Sequence, residues 1–343
     1  YTRVGSSAAQ MCIRDRLNIP IVMGSATPSL ETWHLAKKKQ YGLLRLKERA
    51  VENAQLPKIY CIDVGKSPTE NGLSPILIKA MRERLKRGEQ SLLFINRRGY
   101  APVMHCSACQ WVAPCMRCSA RLVVHLGQKR LKCHHCGHEQ KIPIQCPDCG
   151  NPDLSPVGQA TQRLQQTLTD LFPAANIARV DRDSVRNKDA LTDVLKKVQE
   201  KEIDILVGTQ MLAKGHDFPY LTLVGVIDTD TALFSPDFRA SERLFSQLMQ
   251  VSGRAGRAEI PGEVLIQTTF PQHDLFDALR AQDYETYADT LLDERSAMQF
   301  PPTSYFALLK AEASDYNQVL TFLHTAVNLA RETPNEVMIY DPI

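Results

Sequence analysis

Eight cysteines fall between positions 106 and 149, and every one belongs to a C-x-x-C pair: Cys106/Cys109, Cys115/Cys118, Cys133/Cys136 and Cys146/Cys149. Two thiolates two residues apart can chelate one cation, because a tight turn points both sulfurs the same way. Four pairs make two tetrahedral sites of four cysteines, and the expected occupant of each is a structural Zn2+. A set of free buried cysteines is the alternative, but it gives no reason for four regular spacings. The two middle pairs are separated by 14 residues, SARLVVHLGQKRLK, which read as a hairpin at close to zinc-ribbon spacing. Joining Cys115, Cys118, Cys133 and Cys136 leaves Cys106, Cys109, Cys146 and Cys149 for the other metal; sequential pairing is the alternative. His105, His134, His135 and His138 lie nearby, but eight cysteines leave no vacancy that a histidine must fill.

A second chemistry is written at 249–258, MQVSGRAGRA, where Arg254 and Arg257 stand three apart among glycines and Gln250 precedes them. Guanidinium groups match phosphate oxygens with paired hydrogen bonds, so this spacing suits a phosphate clamp at a helix end. A surface ion-pair cluster is the alternative, and it leaves the glycines without a purpose.

The elements that must hold these groups follow from periodicity. Apolar runs at 19–27 (IPIVMGSAT), 56–64, 91–96, 176–181, 203–209, 221–228 and 262–269 predict buried strands. Helices are predicted at 74–88, with Ser74 as cap and Pro75 in the first turn, and at about 160–171, 188–200 and 239–251. Strands alternating with helices give an α/β fold with a parallel sheet. The cysteine block interrupts it between one strand and the next helix. Residues 280–343 change character, with a helix, the stretch FPPTSYFALLKAEA and another helix. Residues 1–16 show neither period and are set apart as an unreliable, non-native-looking end.

Composition is ordinary, with 43% hydrophobic and 23% charged residues, and the net charge of +3 is too mild to argue for nucleic acid by itself. No apolar run reaches 18 residues, so no membrane partner is expected. Paired cysteines of this kind belong to metal sites of a reducing compartment rather than to disulfide frameworks, and a cytoplasmic location is expected. The 101–150 segment carries six Lys/Arg and two acids. Two sites of four thiolates contribute about −2 each, which leaves the insertion nearly neutral. Lys129, Arg130 and Lys132 still make a basic hairpin edge, suited to nucleic acid or protein and equally to plain solvation.

Three further segments close predicted strands: GSATP (24–28), with Ser25 and Thr27; FINRRGY (94–100); and VGTQMLAKGHDF (207–218), with Thr209, Gln210, Lys214, Gly215 and Asp217. Ligands bind at such strand ends in open parallel sheets. GSATP, GTQMLAKGHDF and QxxGRxGR in this order resemble motifs III, V and VI of superfamily 2 helicases. With NRRGYAP ahead of four C-x-x-C pairs inside the lobe, the chain resembles the replication-restart helicases of the PriA (primosomal protein N′) family from about residue 17 onward. The resemblance implies a RecA-like second motor lobe with an inserted double zinc-binding module. It implies an ATP- and Mg2+-dependent 3′→5′ DNA helicase that recognises stalled forks, D-loops and single-stranded DNA. Primosome proteins and the single-stranded DNA-binding protein are the implied partners. Arg257 resembles the arginine finger, with Arg254 on the same phosphate and Gln250 linking the site to the lobe. Ser25 and Thr27 resemble the motif that couples nucleotide to DNA. Thr209, Gln210 and Lys214 would touch the DNA backbone, and Asp217, after Gly215, would tie that loop to the ATP cleft. One departure is Ala160, in GQAT (158–161), where the family has glycine.

No P-loop G-x-x-x-x-G-K-[ST] occurs in the 343 residues, and no DExH. Gly65-Lys66-Ser67 fails because Tyr60 stands where the first glycine is required. The expected organisation is 17–45 as the end of a first helicase lobe, 46–105 and 151–279 as the second lobe, 106–150 as the zinc module, and 280–343 as the start of a C-terminal domain. ATPase activity is not expected of these residues alone. The competing reading is a zinc-ribbon nucleic-acid or protein adaptor with a non-catalytic α/β lobe, which leaves the order of the motifs unexplained.

Overall fold

The structure is a computed structural model that describes residues 16–46, 56–67, 69–96, 160–180, 188–209, 212, 218–234, 237–256, 261–307 and, in part, 103–157 and 309–342. The chain divides into two compact units, one of residues up to Arg97 with Leu164–Phe306, the other of Arg98–Arg163 with Ala307–Ile343.

The first unit is built on a six-stranded parallel sheet, β1 (Lys58–Asp63), β2 (Gln90–Ile95), β8 (Ile177–Val180), β9 (Ile205–Gly208), β10 (Leu221–Ile227) and β11 (Glu263–Thr268), in the order β1-β11-β10-β2-β9-β8. The central strands are buried along nearly their whole length and mostly apolar because both faces are covered. Alternation then decides which side chain goes where. Leu92, Phe94, Val224, Val226, Val264 and Ile266 enter one core, with Leu244, Phe245 and Leu248 of α6 (Ala240–Ser252), Phe276 of α7 (Asp274–Ala281) and Leu291 of α8 (Tyr284–Ala297). Leu93, Ile95, Leu223 and Leu265 enter the other, beneath α2 (Pro75–Lys86) and α3 (Ala160–Leu171). The remaining helices are α1 (Leu30–Lys37), α4 (Lys188–Gln199) and a single turn, α5 (Asp230–Leu233). Gly225 is required where α2 crosses the sheet, since a Cβ there would lie 2.6 Å from Leu93 and 2.8 Å from Leu77. Ser74 caps α2 as expected, its hydroxyl accepting from the Leu77 N–H.

The predicted strand at 19–27 does not form. No strand of the sheet takes it as a neighbour, and Ile19, Val22 and Met23 are exposed. An apolar run becomes a strand only where a sheet edge receives it. Leu30 and Trp33, just downstream, are buried in the same core as α6 and α8, as are Tyr287 and Leu292 from the 280–343 segment.

In the second unit, β3 (Val103–Cys106), β4 (Val123–His125), β5 (Arg130–Lys132), β6 (Glu139–Lys141) and β7 (Leu154–Val157) form an antiparallel sheet in the order β6-β5-β4-β3-β7. The hairpin read at RLVVHL and KRLK is β4–β5, with Val124 opposite Leu131. The strands β3, β6 and β7 carried too few alternating residues to be seen beforehand. The unit also holds α9 (Tyr316–Glu332).

Candidate functional site

Pairing of β3 with β7 sets Cys106 opposite Leu154, so the chain leaving the Cys146–Cys149 turn returns beside the Cys106–Cys109 turn. The sulfurs of Cys106, Cys109, Cys146 and Cys149 lie within 4.8 Å of one another. Cys106 Sγ stands 3.6 Å from Cys149 Sγ, and Cys109 Sγ 3.5 Å from Cys146 Sγ. A tetrahedral cation with bonds of about 2.3 Å needs sulfurs about 3.8 Å apart, so the cluster fits zinc. The second turn is closed by the Cys146 N–H donating 2.8 Å to Asn151 O and by Gly150 at φ +74. Backbone N–H groups of Cys109 and Ala108 draw the Cys106 thiol down to about 6. Cys109 receives the Trp111 N–H, which favours its thiolate, but desolvation and the three surrounding sulfurs push it up to about 12. Four crowded thiols sharing protons divide in this way; a divalent cation lets all four ionise together. Asn151, which also donates to Cys106 Sγ at 3.7 Å, orients the set and carries no metal-ligand signal of its own. Of the middle pairs, Cys115 and Cys133 are buried with Met104, Leu122 and Leu131. Cys118 and Cys136 lie outside the described residues. Glu139 bridges Lys132 at 2.8 Å and Arg130 at 3.3 Å, so the basic edge of the hairpin is partly neutralised within its own sheet.

In the other unit, α6 ends at Gly253 and runs into the glycine-arginine turn. Gly256, at φ +74, lies so close to Gly262 that a Cβ on it would stand 2.3 Å from the Gly262 nitrogen. Only two glycines permit this crossing, which folds the turn back onto the start of β11. Arg254 is buried here, 7% exposed. Arg257 lies outside the described residues, as do Gln210, Lys214, Gly215 and Asp217. Thr209 follows β9 directly and is half-buried, with Leu212 folded beneath it and donating its N–H 3.0 Å to Thr209 O. Gly65–Ser67 is a turn after β1 whose amides are bound by Asp63 Oδ1, at 3.0 Å from Gly65 N and 3.3 Å from Lys66 N.

The GSATP segment and α6 are joined. Thr27 Oγ1 lies 2.8 Å from Ser246 Oγ, and Gln250 Nε2 donates to the same Ser246 oxygen at 3.2 Å. Ser25 Oγ accepts from the Thr27 N–H at 3.1 Å and so shapes the local turn. The Leu30 N–H, at the start of α1, donates 3.0 Å to Glu242 Oε1. The other oxygen of Glu242 receives Arg295 Nη2 at 2.7 Å, a pair with side chains 13% and 5% exposed. Tyr284 donates its hydroxyl to Pro28 O, and Trp33 Nε1 and Lys37 Nζ both reach Asp289 at 2.7 Å. Glu242, Ser246 and Gln250 were missed in the sequence as a set, although their spacing of four marks one helix stripe.

Residues 115–141 match the PriA DNA helicase Cys-rich region, and residues 157–259 match the helicase conserved C-terminal domain. The cysteine region thus directly precedes the helicase match in the sequence. The chain is a homologue of the PriA replication-restart proteins. It is 46% identical over 301 residues to replication restart protein PriA of Haemophilus influenzae, covering 88% of this chain and 41% of that protein. The Bacillus subtilis PriA is 42% identical over 294 residues, covering 84% and 36%, and the Rickettsia felis PriA 40% over 313 residues, covering 90% and 48%. The chain spans half or less of the length of these relatives. The parallel sheet and the helicase match make the first unit a RecA-like lobe, and the match to the PriA cysteine region covers β4, β5 and β6 of the second sheet. Among the described residues, no helix is long and apolar enough to cross a membrane.

Proposed function

We propose that these residues are the second motor lobe and zinc module of an ATP-dependent 3′→5′ DNA helicase acting in replication restart. The observation that carries the reading is the attachment of GSATP to the helix that delivers the arginine turn, through Thr27 and Ser246. Motor helicases work by changing the relation of two lobes around a nucleotide, and a strut between motif III and motif VI suits that task. In this reading Arg257 stabilises charge on the γ-phosphate, Arg254 supports it, and Gln250 links the turn to the lobe. Thr209, Gln210 and Lys214 hold the DNA backbone, and Asp217 and Gly215 tie that loop to the cleft. ATP and Mg2+ are held with a P-loop and an acidic motif that these 343 residues lack.

Each four-cysteine set holds one structural zinc: Cys106, Cys109, Cys146 and Cys149 the first, Cys115, Cys118, Cys133 and Cys136 the second. Zinc there cross-links the sheet and performs no reaction. The domain limits remain those read from the sequence, with 17–45 assigned to the end of the first lobe and 106–150 to the zinc module. Forks, D-loops and single-stranded DNA are the substrates, primosome proteins and single-stranded DNA-binding protein the partners, and the cytoplasm the location.

Phosphate release in the presence of single-stranded DNA tests this. The whole protein carrying this sequence should turn over ATP, and Arg257→Ala should lower its kcat by about 10³-fold or more, the worth of an arginine finger. The 343 residues alone should stay at background. Wild-type turnover in the Arg257→Ala protein, or turnover by the 343 residues alone, would overturn the reading.

A further inference from the structure

Glu242, Ser246 and Gln250 stand at i, i+4 and i+8 on α6, and Arg254 follows four residues later in the turn. Side chains at that spacing line one face of a helix. Ser246 is bonded to the Thr27 hydroxyl in the motif III segment, and Glu242 to the Leu30 N–H just after it, at the start of α1. The third is bonded to the second, since Gln250 Nε2 donates to Ser246 Oγ. A serine hydroxyl has one proton and two lone pairs. Ser246 therefore joins Thr27 and Gln250 through a single oxygen, and neither bond survives its removal. The stripe is also anchored, because Glu242 is shared between Leu30 and the buried Arg295, which in turn holds Pro301 O and Phe238 O.

We infer that Ser246 is a positioning residue that relays the position of Thr27 to Gln250 and, through the end of α6, to the turn that carries Arg254. This rests on the helicase reading, and it assigns the coupling between the two motifs to a residue outside both. The physical reason is directional. Thr27 sits in an irregular segment without sheet partners, while Gln250 sits one turn before the helix ends at Gly253. A displacement of the first pulls on the last turn of a helix, where the backbone has the fewest bonds to resist it.

Two measurements decide it. The first uses the whole protein carrying this sequence and compares Ser246→Ala, Ser246→Thr, Thr27→Val and the double variant Thr27→Val/Ser246→Ala. Ser246→Ala should lower the kcat of DNA-stimulated ATP hydrolysis about tenfold, the upper end of one bond's worth and less than the roughly hundredfold that an ångström of misplacement can cost. Its KM for ATP should change less than about twofold, because no bond to ATP is removed. Its thermal midpoint should move by only about 2–4 °C. Ser246→Thr keeps the hydroxyl and should restore kcat. The double variant should be no slower than Ser246→Ala alone, since the relay is already cut. Wild-type kcat in Ser246→Ala, or full additivity in the double variant, overturns the relay.

The second measurement needs no ATPase. Amide exchange of Gly253–Gly256 should rise several-fold in both Ser246→Ala and Thr27→Val of the 343-residue chain, although Thr27 is bonded to none of those amides. Unchanged exchange overturns the relay even if the protein hydrolyses ATP. Absence of DNA-stimulated turnover in the wild-type whole protein instead sinks the helicase reading and leaves the exchange result to judge the relay by itself.

Discussion

The two units hold themselves together by different means. The parallel lobe buries apolar side chains on both faces of its sheet, with Phe94, Phe245, Phe276 and Phe218 all nearly inaccessible. The cysteine unit has a small core that includes Met104, Leu122, Val124 and Leu131, and two of its other core members, Cys115 and Cys133, are metal-ligand candidates. A sheet of three- and four-residue strands cannot bury enough surface to offset the entropy of ordering it. The lobe is therefore held by burial spread over many residues, whereas on the zinc reading the cysteine unit would be held by a few bonds to a cation. The first loses stability in small steps as side chains are trimmed; the second depends on each ligand.

Cys146→Ser, or removal of metal with a strong chelator, should abolish the first zinc site, whose binding is folding energy on the order of 10 kcal/mol in small zinc modules. Metal analysis should fall from about two zincs per chain toward one in Cys146→Ser. Amide protection should be lost from β3 and β7 but kept in β2 and β10. Loss of protection in β10 as well would mean that the units do not hold independently.

A smaller effect tests the other side. Phe94→Ala should destabilise the lobe by about 3–5 kcal/mol in denaturant titration, because it deletes a fully buried ring from the central strand. Zinc content should stay as in the wild type. The chain has two tryptophans, Trp33 in the lobe and Trp111 in the cysteine unit, so a Trp111→Phe background lets fluorescence report the lobe alone.

The smallest effect is a pH dependence confined to the lobe. Burial would raise the Asp230 carboxyl, but the Thr268 hydroxyl, the Thr269 hydroxyl and N–H, and the Thr229 hydroxyl all donate to it and hold it below its ordinary 3.8. The sign follows from linkage. The folded carboxyl is the stronger acid, so its contribution is present above pH 3.8 and is lost as pH falls through the folded value. In the Trp111→Phe background, Asp230→Asn should flatten the acid limb of the lobe's unfolding midpoint, and an unchanged limb would remove Asp230 from that account. The cysteine unit should respond at higher pH, because protons displace metal from thiolates.

Much of the site was legible beforehand for reasons tied to spacing. The C-x-x-C pairs can be read because two ligands on one turn are a local property. The strands β2, β10 and β11 can be read because strands buried on both faces are mostly apolar. The strand expected at 19–27 looked the same and failed, since apolarity says that a run is to be covered, not which sheet covers it. The stripe of Glu242, Ser246 and Gln250 escaped notice because a polar i, i+4 series on a helix is ordinarily a solvated face. Only the arrival of residues 27 and 30, more than two hundred positions earlier, turns it into a contact.

Local spacing alone carried chemistry with short reach: ligand pairs, glycines that admit a crossing backbone, and alternation that sorts side chains into two cores. What the tertiary structure decided was partnership. It brought Cys146 and Cys149 to Cys106 and Cys109 by pairing β3 with β7, and it brought Thr27 to Ser246 by burying Leu30 and Trp33 against α6 and α8. Local spacing limits which groups can bind the same ligand; only packing across distant segments decides which of them meet.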